Sequence, residues 1–112
     1  MLVHHKGLSP ERWYKFTLME QLANIGSDVI RAINWKNKGC HEDSRLAFER
    51  VLELIDLTVS DPKNRKRLRE VLRTREALVD YFLCDNEYST SDKIWQEYFN
   101  DFGYIAAIQR GR

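Results

Sequence analysis

Both prolines of this chain stand directly behind a residue suited to cap a helix. Ser9-Pro10-Glu11 offers a hydroxyl acceptor, a ring already fixed near the helical φ, and an acid for the first turn. Ser60-Asp61-Pro62 repeats that signal and also ends whatever helix precedes it. Elsewhere apolar residues recur at spacings of three and four, and the β-branched residues are scattered, so the pattern predicts helix rather than strand. Gly39 can take the left-handed conformation that closes a helix. The expected helices cover about 10–38, 42–59, 62–83 and 90–109, the last capped by Ser89 or Ser91 after "CDNEYSTSD". Short connections favour antiparallel neighbours, so the expected fold is all-α: one domain, an up-down-up-down four-helix bundle with a long first helix.

That first helix sets a problem of length. At ~28 residues it would reach ~42 Å, against ~27 Å for the ~18 residues of the second. Its apolar arc also runs from Tyr14 and Ala32 through Leu18, Ile25 and Ile33 to Phe16, wider than a stripe facing one core. A second copy of the chain is the expected cover, with Trp13, Tyr14, Phe16, Trp35, Trp95 and Tyr104 as the interface. The alternative is a monomer whose first helix kinks at Gly26-Ser27.

With 18 basic and 17 acidic residues, the chain as a whole has no field that would draw a polyanion or a membrane. Charge is concentrated locally in "DPKNRKRLREVLRTRE", residues 61–76. Opposite an apolar face of Leu68, Val71, Leu72, Leu78, Val79, Phe82 and Leu83, Lys66, Arg69 and Arg73 form a row about 10 Å long. Acids at Glu70, Glu76 and Asp80 interrupt that side, and no aromatic is interleaved for bases to stack on. A solvated helix face is expected there in preference to a nucleic-acid interface. Arg75 falls within the apolar face and must be paired, with Asp28 the leading partner and Glu20 and Glu49 behind it. Alternatively, Arg75 lines a pocket for an anionic ligand together with Glu20, Asn24, Asp28 and Arg31 from the polar edge of the first helix.

Other chemistry is narrowed by spacing. Cys40 and Cys84 have no zinc-ligand spacing and read as free thiols in a reducing compartment, and no run approaches the ~18 apolar residues of a bilayer span, so a soluble cytoplasmic protein is expected. None of His4, His5 or His41 has a glutamate three residues before it, which excludes the di-iron bundle pattern. Cys40 and His41 are adjacent, with no third group to orient them as a nucleophile and base. Asp85, Asn86 and Glu87 lack EF-hand spacing and suit a turn better than a cation site. Gly26 and Gly103 are expected to permit close helix approach. No catalytic residue, metal site or cofactor is indicated.

The segments "RWYKFTLMEQLANIGSDVIRAINWK" and "REALVDYFLCDNEYSTSD" resemble a group of small bacterial helical proteins with no assigned activity. More loosely, a four-helix unit of this size is similar to the HEPN class, which includes nucleotidyltransferase partners and small ribonucleases. The nuclease members carry Arg, four to six residues, then His. Here Arg31 is too far from His41, so the resemblance implies a partner or binding role without nuclease chemistry. The function expected from the sequence is therefore a non-enzymatic helical interaction module, a homodimer with room for a protein partner. A small-ligand or enzymatic pocket around Arg75 and a HEPN-like partner or weak RNA binder are the alternatives.

Overall fold

The computed structural model describes residues 9–111, without the Arg110 side chain; His4 and His5 lie outside them. It is all-α, with a short N-terminal helix and four main helices, and no strand among the described residues. The helices are α1 (Pro10–Tyr14), α2 (Leu18–Asn37), α3 (His41–Ser60), α4 (Leu68–Leu83) and α5 (Asp92–Arg110), with a 3-10 turn at Pro62–Arg67. None is long and apolar enough to cross a membrane.

The expected long first helix is two helices. Ser9 starts α1 by accepting from the Arg12 N–H at 3.2 Å. Three residues after α1 ends, Thr17 restarts the chain as an N-cap. Its hydroxyl accepts from the Glu20 N–H at 3.2 Å while the Glu20 carboxylate accepts from the Thr17 N–H at 2.9 Å, a reciprocal capping box. These bonds satisfy the donors that another helical turn would have satisfied, so the break costs little. What remains, α2, is 20 residues long, the same as α3. The surplus length that called for a second chain is absent. The wide apolar arc of α2 has an internal cause as well, because α2 is the central helix and packs against α3 on one side and α5 on the other.

Along α2 the chain is continuous through Gly26-Ser27, with no break there. A Cβ on Gly26 would lie 2.6 Å from Phe99 Cβ, so this glycine is what lets α5 come close. The matching expectation for Gly103 does not hold: a Cβ there would meet nothing within 4 Å. Gly39, at φ +79°, closes the α2–α3 turn as its position suggested. Ser44 then ties the start of α3 to α2 by donating to the Ala32 carbonyl at 2.8 Å.

Residues 62–67 are 3-10 rather than the first turns of one helix, so α4 is shorter than expected. Its last turn is tied down by Asp80, whose carboxylate accepts from the Glu87 and Tyr88 N–H groups at 2.9 and 3.1 Å. Asn86, at φ +55°, braces the same turn through Thr90, donating to its carbonyl and accepting from its N–H. The Asp85-Asn86-Glu87 segment is thus a turn wrapped on Asp80. Ser91 caps α5, and Lys36 and Asn37 at the end of α2 both reach Asp92 at its start, at 3.3 and 3.0 Å.

At the other end of the molecule a buried polar knot joins α1, α2, α3 and the 3-10 turn. Trp13 Nε1 donates to Thr58 Oγ1 at 3.0 Å, and Thr58 Oγ1 donates to the Leu54 carbonyl. Gln21 Nε2 donates to the Trp13 carbonyl and to Asp61 Oδ2, at 3.1 and 2.9 Å. Asn64 Nδ2 donates to Gln21 Oε1 and to the Thr58 carbonyl, at 2.8 and 3.0 Å. The Lys63 ammonium joins Asp61 to the Tyr14 carbonyl. Among the described residues no buried side-chain nitrogen or oxygen lacks a partner, so these polar groups specify the fold without an unsatisfied group.

Burial pushes the Asp61 carboxyl up, but the donors from Lys63 and Gln21 outweigh it and hold the group below the ordinary carboxylate range. Its stabilising contribution is complete above the unfolded value of about 3.9 and is lost as pH falls through the lower folded value. Asp61→Asn is expected to be less stable at pH 7 and to lose less further stability than the wild type below about pH 4. Denaturant midpoints measured across acid pH check this; parallel curves for the two proteins would remove Asp61 as the cause.

Candidate functional site

The residues singled out from the sequence do not gather into one site. Arg75 is paired on the surface, its Nε donating to Asp56 Oδ1 of α3 at 3.0 Å, and neither Asp28, Glu20 nor Glu49 is that partner. The apolar face of α4 is rotated from the one expected. It is centred on Val71, Leu78 and Phe82, with Phe82 stacked on Phe48 at 4.5 Å, while Leu72 and Leu83 are exposed. Arg75 therefore lies at the edge of the face, where half exposure to water suffices. On α2, Glu20 serves the capping box, Asn24 donates back to the Glu20 carbonyl at 2.8 Å, and buried Asp28 pairs with Arg31 at 3.2 Å.

Two of the proposed interface aromatics are core residues: Trp13 is 2% and Trp95 4% exposed. Tyr14 and Trp35 are half-buried, and Phe16 and Tyr104 are exposed, Tyr104 at 70%. Lys66 lies on the 3-10 turn and Arg69 and Arg73 on α4, all exposed. Arg73 also borders the cleft described next.

α4 packs along α3, and α5 along α2, but α4 and α5 meet through side chains without close backbone packing. Their seam holds a cleft of about 400 Å³, lined by Arg73, Thr74, Glu76 and Ala77 of α4, Ile94, Trp95 and Tyr98 of α5, and Tyr88 of the connecting turn. Tyr98 is held edge-on by Phe99 and Phe102, each at 5.0 Å between centroids, and by Trp95 at 5.8 Å. Its phenol reaches Thr74 Oγ1 at 2.9 Å, the one side-chain hydrogen bond between α4 and α5 among the described residues. At the rim stand Ile94 and Tyr88, 50% and 56% exposed, with the Tyr88 hydroxyl donating to Glu76 Oε1 at 2.9 Å.

The electrostatics suit binding better than proton transfer. Burial raises the Tyr98 phenol, and the hydrogen bond to Glu76 raises that of Tyr88. Both stay protonated at neutral pH and act as donors, not bases. A pocket of this size, mostly apolar with a few polar groups at its margin, has the composition of a ligand or side-chain acceptor site. Sequence reasoning assigned Trp95 to an interface between copies and Arg73 to a solvated helix face, and so missed the cleft. The available signal was the stripe of Arg73, Thr74 and Ala77, whose small or polar side chains cannot fill the space facing Trp95 and Tyr98.

Comparisons of the chain with protein-family models, with curated proteins and with solved structures gave no match.

Proposed function

We propose that this chain is a non-enzymatic binding module, an up-down-up-down bundle whose seam between α4 and α5 is the working surface. The carrying observation is the cleft itself: about 400 Å³ bordered by Ala77, Ile94, Trp95 and Tyr98, with large apolar side chains exposed at its rim. Elsewhere in the bundle Trp13, Phe48 and Leu78 are covered by the chain's own packing, whereas Ile94 and Tyr88 have no such cover. Antiparallel neighbours are supported by the contacts of α2's last turn with α5's first, and by those of Phe48 early in α3 with Phe82 late in α4.

A neutral probe tests the surface without presuming a ligand charge. N-phenyl-1-naphthylamine is expected to bind the folded chain saturably at one site, with a rise in its fluorescence. Ala77→Trp, which fills the cleft, and Ile94→Glu, which places a charge on its rim at an exposed position, are each expected to weaken that binding at least tenfold while leaving the helical circular dichroism unchanged. Equal binding by the wild type and both folded variants would place the probe elsewhere and end this reading.

A further inference from the structure

The cleft contains two charged side chains in unlike situations. Glu76 already accepts a hydrogen bond from the Tyr88 hydroxyl at 2.9 Å. Arg73 has no ion-pair partner among the described residues, although Glu76 stands three residues on, at a spacing where helical pairs form. The other polar atoms are committed within the protein: Thr74 and Tyr98 bond to each other at 2.9 Å, and Trp95 Nε1 donates to Thr90 Oγ1 at 3.0 Å. The polar recognition still on offer is the Arg73 guanidinium, whose fork of N–H donors matches a carboxylate.

We infer that the α4–α5 cleft takes a small apolar carboxylate, its body against Ile94, Trp95 and Tyr98 and its head on Arg73. This rests on the cleft being a binding site, as proposed above. The occupant is a small molecule and not a partner helix, because about 400 Å³ lies near the lower end of the roughly 300–1,000 Å³ of ligand pockets. Aromatic walls and a single cationic group select for an apolar body with one anionic end.

Octanoate and octylammonium, which share a chain and differ in head-group charge, are titrated as competitors of the neutral probe on the full chain at low ionic strength. Octanoate is expected to displace the probe at least tenfold more effectively than octylammonium. Arg73→Met should weaken octanoate at least tenfold more than it weakens the neutral probe, and so abolish the preference over octylammonium. Octylammonium binding as well as octanoate, or octanoate unaffected by Arg73→Met, would overturn the carboxylate assignment; the cleft would survive that result as long as the neutral probe still responded to Ala77→Trp. Loss of the neutral probe's site altogether would remove both.

Discussion

Trp13→Ala is expected to lower the stability of the chain by about 3–5 kcal/mol, the range for truncating a buried tryptophan. For a domain of this size that corresponds to a fall in Tm on the order of 4 °C per kcal/mol. The indole is 2% exposed and its Nε1 donates to Thr58, so the change empties a core volume and removes one bond of the knot together. Trp13→Glu should do at least as much, since it puts a carboxylate into the core volume the indole leaves. Phe16→Glu, three residues away and more exposed but with its ring edge-on to Trp13 at 5.6 Å, should cost only on the order of 1 kcal/mol. Denaturant unfolding of the three variants decides the matter. A stable, folded Trp13→Glu protein would mean that α1 is not docked and that Trp13 serves as surface.

The second large effect concerns the crossing of α2 and α5. Gly26→Leu is expected to cost about 3 kcal/mol or more, because the nearest atoms to a new side chain are Cβ and Cγ of Phe99, which cannot swing away without moving α5. Gly26→Ala is the sharper test of sign. Helix propensity alone would make it stabilising by about 1 kcal/mol. A Cβ 2.6 Å from Phe99 Cβ should reverse that into a net loss. Gly103→Ala is the control on the facing helix: with nothing within 4 Å of the added methyl, it should gain about 1 kcal/mol. Thermal melts of the three single variants separate these outcomes, and a stabilising Gly26→Ala would show that the two helices are not in close contact there.

How much of this could be read from the sequence depends on whether the signal was local. Ser9, Asp61, Ser91 and Gly39 act through their own backbone neighbourhood, and helix ends set by them fall where expected. Thr17-Leu18-Met19-Glu20 is just as local a signal, the pattern of a capping box, but apolar residues continue at helical spacing through it, and a wheel drawn as one continuous helix hides the break. The width of α2's apolar arc was legible; what covers it was not, because a wheel records how much of a helix wants burial and says nothing of which neighbour supplies it. Arg75 was misplaced by counting Leu72 and Leu83 as core, although apolar residues are often exposed. Gln21, Thr58, Asn64 and Asp80 give no sequence signal at all. Their burial depends on partners up to 45 residues distant, or on a turn folded over them. The cleft is of the same kind, since it arises from two helices failing to pack closely.

The members of the polar knot, Trp13, Gln21, Thr58, Asp61 and Asn64, all precede α4 in the chain. During synthesis the knot can therefore close before the ribosome has delivered either wall of the seam. α5 is made after α4, and it docks on an α2 whose other neighbour, α3, is already available. The order of synthesis therefore places the closing of the α4–α5 seam after that of the knot.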